Sequence, residues 1–147
     1  MKEVSLPLRQ AVISALSPLT IEGVTFPLVD SFLNPNVSPV SYRGAECYVL
    51  ITDQSEAETL GNRCSERQSV ALTIDIVTKF PIGNGGKLAS EKISQYIQPL
   101  INRTLDLSPD FQLLNVDKIN ALSRIEQGTT EVAYRKIINY SFDIFEL

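Results

Sequence analysis

The chain has no histidine among its 147 residues. That removes at once the commonest general base and the commonest metal ligand. It has only two cysteines, Cys47 and Cys64, in no metal-binding spacing. Two reduced thiols are the expected state rather than a disulfide. Basic residues are outnumbered 13 to 17, giving a net charge of −4. A duplex-binding surface needs a basic footprint, so at most a small basic patch is left open. The first residues, MKEVSLPLRQAVISAL, carry an early acid and no long apolar run. They read as neither a signal peptide nor a membrane anchor. Repeats, low-complexity tracts and domain linkers are also missing. With 44% hydrophobic and 20% charged residues, the chain reads as one globular domain spanning 1–147.

What the chain does have is alternation. Residues 68–80, QSVALTIDIVTKF, place Val70, Leu72, Ile74, Ile76, Thr78 and Phe80 on one face of a strand. Residues 131–146 repeat the pattern: Val132, Tyr134, Lys136, Ile138, Tyr140, Phe142 and Ile144 face one way, and Ala133, Arg135, Ile137, Asn139, Ser141 and Asp143 the other. Residues 111–125 supply its hairpin partner through a turn at Gly128. A further strand is expected at 46–54, and a bent hairpin at 20–29 around Glu22-Gly23, with Pro27 placing its second half on a sheet edge. The proline-rich run 31–45 reads as an irregular surface loop.

Helical spacing appears twice. Residues 5–16 form a first helix, with Ser5 as its cap and Pro7 in its first turn. Residues 87–105 form a second, which Pro99 kinks or splits. The fold expected is α+β: a mostly antiparallel sheet of long strands, with two helices packed on one face. Strands longer than the usual five or six residues, outrunning the core, need something else to pack on.

Chemistry is tested first at KFPIGNGGKLASEK, residues 79–92, where a strand runs through a glycine-rich loop and a lysine into a helix. A phosphate-binding loop requires G-x-x-x-x-G-K-[ST]. Gly86 and Lys87 match, but Pro81 stands for the first glycine and Leu88 for the magnesium-binding hydroxyl. The loop therefore reads as a strand-to-helix connection whose glycines permit positive φ, with a tight turn at Asn84-Gly85. The carboxylate-x-lysine pair of small metal-dependent nucleases is also missing. Val77, Gly85, Ser90, Val116 and Tyr134 stand two residues before Lys79, Lys87, Lys92, Lys118 and Lys136. No G-x-S-x-G elbow exists, and Cys47, inside an apolar strand, reads as a core residue. The chain is not expected to be an enzyme, nor to hold a metal or cofactor.

The residues left for function are charged. Asp53, Glu56, Glu58, Arg63, Glu66 and Arg67 crowd residues 53–67, which read either as a solvated hairpin tip or as a docking arm. Asp75, Arg135 and Asp143 sit on the less apolar faces of their strands. They suggest a solvated face, an intersubunit salt bridge or, if the strands are neighbours, a carboxylate pair.

Taken in order, "LRQAVISAL", "VTFPLVD", "CYVLITDQ", "SVALTIDIVTKF" and "VAYRKIINYSFDIFE" resemble the tail terminator, or tail-to-head joining, proteins of tailed bacteriophages over nearly the whole chain. The likeness lies in the order of elements, not in invariant residues, and carries over no catalytic residue. It implies a structural virion protein, assembled in the host cytoplasm. Such proteins form a ring, usually a hexamer, that ends tail-tube polymerisation and meets the head connector. The implied partners are other copies of the chain, the tube protein and the neck proteins. DNA passes through the lumen without sequence-specific binding, and no membrane is involved. The competing readings are another phage neck or secretion-type assembly protein, and a small peptide- or ligand-binding α+β module.

Overall fold

The computed structural model describes residues 4–30, 38–58 and 67–147, without the side chains of 53 and 55–58. Helix α1 spans Ser5–Leu16. Two short strands follow, β1 (Leu19–Ile21) and β2 (Val24–Phe26), paired antiparallel. Strands β3 (Leu28–Val29), β4 (Val40–Tyr42), β5 (Ala45–Glu58), β6 (Arg67–Pro81), β7 (Phe111–Gln127) and β8 (Glu131–Glu146) form one sheet. Its order is β3-β5-β6-β8-β7, with β4 also paired to β5. Among the described residues only the two-residue β3–β5 contact is parallel, so the architecture is the expected α+β one. Helix α2 covers Leu88–Ile97 and passes into a single 3-10 turn, Gln98–Leu100. Pro99 lacks the N–H that an α-helix would need there, so the helix expected over 87–105 ends early and residues 101–105 are not helical.

The alternating residues become one core. Val70, Leu72, Ile74, Ile76 and Phe80 of β6 and Ile138, Tyr140, Phe142 and Ile144 of β8 pack with Leu8, Val12 and Leu16 of α1 and Ile93 and Ile97 of α2. Both helices thus share one face of the sheet. Lys136 is a charged residue on this side of β8, and its Nζ donates to Glu91 Oε1 of α2 at 2.9 Å. Lys118 of β7 donates to Gln98 Oε1 at 3.2 Å. A smaller cluster of Tyr48, Leu50 and Val77, with Val29 against it, lies on the reverse face.

Two tight turns carry the irregular part of the chain. Glu22 and Gly23 have φ of 51° and 79°, and Arg43 and Gly44 of 50° and 80°. Two successive positive values are the signature of the hairpin turn whose twist matches that of its strands. The turns also meet: Arg43 Nη2 donates to Glu22 Oε1 and Oε2 at 3.1 and 3.2 Å. This contact holds the Glu22 carboxyl below its ordinary pKa.

Three local expectations are corrected. Ser5 is the first helical residue rather than the cap; Val4 holds the cap position, and among the described residues no side chain caps the helix. The run 31–45, read as loop, contains β4, and of the rest 31–37 lies outside the described residues. The turn expected at Asn84-Gly85 lies instead at Pro81–Asn84, where Asn84 N–H donates to Pro81 O at 3.1 Å and Gly83 takes φ of 86°.

Tyr140 is the misfit of the core. Its ring packs near Phe142, yet its buried hydroxyl has no hydrogen-bond partner among the described residues. Burial pushes its pKa up to about 12. An unsatisfied buried hydroxyl costs about 1–3 kcal/mol. Tyr140→Phe is therefore expected to keep or raise stability, by about 1 kcal/mol. Because the folded-state pKa is raised, the neutral hydroxyl's contribution is full below pH 10 and is lost as pH climbs towards 12. The variant should show a shallower alkaline loss in urea titrations. A destabilised Tyr140→Phe would mean the hydroxyl has a partner.

Candidate assembly surfaces

The sheet outruns its helical cover, so its candidate surfaces are strand ends, a strand edge and the reverse face. On the reverse face several charged residues are paired across strands. Asp75 stands opposite Ile137 in the β6–β8 register and bonds Arg135, two residues away on the same face. Arg67 stands opposite Phe145 and bonds Asp143, with the same offset. These are the diagonal neighbours of an antiparallel pair, within reach of a long side chain. Arg135 also donates through Nη1 to Glu126 Oε1 at 3.2 Å, which ties in β7. Its guanidinium pKa is raised, chiefly by the Asp75 hydrogen bond. Between the two ion pairs runs a polar ladder. Thr73 Oγ1 donates to Asn139 Oδ1, and Asn139 Nδ2 to Asn120 Oδ1, each at 2.6 Å.

Two readings of these residues change. Asp75 and Asp143 are not a carboxylate pair. β6 and β8 are neighbours, but Asp143 lies six residues along β8 from Ile137, the partner of Asp75, roughly 20 Å away at ~3.4 Å per residue. Nor is Asp75 on a solvated face: it is 4% exposed and neutralised by Arg135.

The charged segment divides. Asp53 falls in a bulge of β5, at the register shift between Ile51 and Gln54. Glu56 and Glu58 follow within the strand, opposite Val70 and Gln68. Arg63 and Glu66 lie outside the described residues. Strand β5 therefore continues past the Gln54 boundary expected from sequence.

The bulge also organises a contact that sequence reading missed. Arg9 of α1 donates through Nη1 to Thr52 O and to Gln54 Oε1, each at 3.1 Å, and through Nη2 to Ile51 O. Its Nε bonds Asp30. Gln54 Nε2 in turn donates to Ser5 O at 2.9 Å. One guanidinium thus satisfies two strand carbonyls at the bulge and fixes α1 on the sheet. A lone arginine on a helix gives no sign that its partner will be a bulge more than forty residues away.

The glycine-rich connection is a packing device. Gly85 has φ of 141°, and a Cβ there would come within 2.5 Å of the Tyr134 ring. That ring stands edge-on to Phe80 at 5.7 Å between centroids. Ile82 N–H donates to Thr130 O at 3.1 Å, tying the loop to the β7–β8 turn. Lys79, Tyr48, Arg135 and Glu131 help line a recess of about 280 Å³ at this end of the reverse face. Its charges largely neutralise each other, as in Lys79–Glu131 at 3.9 Å and Arg135–Glu126. Among the described residues no three metal-ligating side chains cluster. Cys47 is buried and unpaired, and burial pushes its thiol up to about 12, far from a reactive thiolate.

Strand β7 is an open edge. Among the described residues it pairs with β8 alone, and Ile119, Leu122 and Ile125 on it are 59%, 55% and 54% exposed.

Two substitutions test these contacts. Arg9→Ala is expected to cost about 2–3 kcal/mol, the range for hydrogen bonds to a charged group whose carbonyl partners are then left unpaired. Arg9→Lys should recover little of it, because an ammonium lacks the guanidinium fork. Gly85→Ala is expected to cost about 2 kcal/mol, the scale of an overpacked contact, and Tyr134→Leu in the same chain should recover part of it. Thermal unfolding followed by circular dichroism reads both.

No family model matches the sequence, and no curated protein matches it. The fold does match solved structures. The chain aligns with a protein of the virion of a native gene transfer agent particle at a TM-score of 0.61 and 13% identity, over 97% of this chain and 99% of that one. The shared feature is the complete fold, end to end.

Proposed function

We propose that the protein is a structural subunit of a phage-like virion, acting as a tail terminator. Copies form a ring on the head-proximal end of a tail tube, stop its growth and present a surface to the neck. The observation that carries this reading is the end-to-end match of fold with a virion protein of a gene transfer agent, with almost nothing unaligned on either side. The geometry supports it. Strands of 14 to 17 residues extend past helices of 12 and 10, leaving long strand surface for neighbouring subunits. The Asp75, Asp143, Arg67 and Arg135 side chains of the reverse face are spent on each other, which suits a scaffold better than a catalyst. The protein acts without turnover, metal or cofactor. An acidic chain also suits a lumen through which DNA must pass without being held.

Negative-stain electron microscopy tests the reading. Purified protein mixed with cognate tail tubes is expected to give rings of one fixed copy number, or density capping one tube end. Tubes that stay uncapped and grow to unregulated length with the protein present would overturn it.

A further inference from the structure

An asparagine side chain can be attacked by its own backbone. The N–H nitrogen of the next residue reaches the side-chain carbonyl carbon, ammonia leaves and a cyclic imide remains. On a folded chain the outcome depends on how firmly the amide is hydrogen-bonded, how large the next side chain is, and whether water reaches the site. The structure describes Asn84, Asn102, Asn115, Asn120 and Asn139, and it treats Asn84 unlike the rest.

The others are held. Asn102 Nδ2 donates to Pro99 O, and its Oδ1 accepts from the Thr104 N–H, each at 2.7 Å. Asn115 Oδ1 accepts from Arg103 Nη2 at 3.1 Å, and its Nδ2 donates to Asp117 Oδ2 at 3.0 Å. Asn139 Oδ1 accepts from Thr73, and its Nδ2 donates to Asn120 Oδ1. The residues that follow them are Arg103, Val116, Ala121 and Tyr140, each with a side chain beside its N–H. Asn84 differs on every count. Among the described residues its side chain has no hydrogen bond. Gly85 follows it, with no side chain to obstruct the approach. The Gly85 N–H donates to no backbone carbonyl among the described residues, and both residues are exposed. The nucleophile and the carbon it attacks are both untethered and both open to water.

We infer that Asn84 is a self-modification site of the folded chain, where the Gly85 nitrogen converts the asparagine to aspartyl and isoaspartyl forms. The bond from Gly85 N to Asn84 Cγ forms as the bond from Cγ to Nδ2 breaks. The proton on Gly85 N passes to water, the departing nitrogen takes one up, and ammonia is released. Water then opens the imide. Addition at Cγ breaks the new bond and restores the ordinary backbone, with an aspartate side chain. Addition at the Asn84 carbonyl carbon breaks the original peptide bond, so the main chain runs through Cβ and the α-carboxyl becomes the side group. Nothing is oxidised or reduced, and water is the only co-reactant.

The two products act differently on the loop. The aspartyl form adds a negative charge at an exposed position. The isoaspartyl form adds a methylene to the main chain directly before Gly85, where the Tyr134 ring leaves no room even for a Cβ. It displaces Gly85 from the place that seats that ring. The inference stands apart from the virion reading and holds for the chain in any setting.

Peptide mapping tests it, because trypsin leaves each described asparagine in its own peptide: 80–87, 93–103, 104–118, 119–124 and 137–147. The full chain is aged in neutral buffer, folded and in parallel in urea, then digested in mild acid and read by mass spectrometry. In the folded chain the 80–87 peptide is expected to convert at least about ten-fold faster than any other, since a bonded amide must first be freed. In urea Asn84 should react about as fast as when folded, while the others speed up. Asn84→Gln should leave the 80–87 peptide unconverted. Asn84→Asp, the aspartyl product made directly, should melt with the parent chain, and the melting temperature of aged samples should fall with their isoaspartyl fraction. A second described asparagine converting as fast in the folded chain would overturn the site. So would an Asn84 that stays intact, or that reacts about ten-fold slower folded than in urea.

Discussion

A difference in length governs this fold. An α-helix rises about 1.5 Å per residue and a strand about 3.4 Å. The 12 residues of α1 therefore span roughly 18 Å, while the 15 of β6 span roughly 50 Å. Helices of that size cannot cover such a sheet, and the main core forms where they lie. Everything peripheral follows from the shortfall. The second half of β7 is exposed, the reverse face is held by ion pairs more than by packing, and Arg9 must anchor α1 at one defined place. The helices are fastened at a few points: Arg9 at the β5 bulge, Lys136 to Glu91, and Lys118 to Gln98.

The sheet was legible in the sequence because its signal is periodic and repeated. The alternation of residues 70–80 and 132–144 predicted which side chains enter the core, and the register joins those same faces. Proline was equally readable, since a missing N–H acts locally: Pro99 ends α2 where it must. What escaped were features set by distant partners. Strand β4 is three residues long and exists because β5 offers it an edge. Nothing local in its sequence outweighs the prolines around it. The β5 bulge was hidden for the same reason, as its stabilising guanidinium comes from α1.

Chemistry was misleading in a particular way. Asp75 and Asp143 had the look of available carboxylates because a sequence shows the face a residue occupies but not its diagonal neighbour. Two-residue offsets to Arg135 and Arg67 neutralise both. The glycines after Phe80 had the look of an anion cradle, yet the closest demand on them is an aromatic ring. Gly85 is fixed by the approach of Tyr134, a contact between segments nearly fifty residues apart.

The strand order has a kinetic consequence. β5 with β6, and β7 with β8, are hairpins, each joined by one short connection and able to form early. The ladder between β6 and β8 is of another kind: its partners are separated by fifty residues at Pro81–Glu131 and by seventy-eight at Arg67–Phe145. Closing such loops costs entropy before any contact repays it, so folding through that central ladder is slow. Until it closes, the chain carries two hairpins whose inner edges are apolar and unpaired. The seam that finally joins the halves is also the one on which the Asp75–Arg135 and Arg67–Asp143 pairs sit. With Lys79–Glu131 at the same two-residue offset, these opposite charges favour the native register as the seam closes.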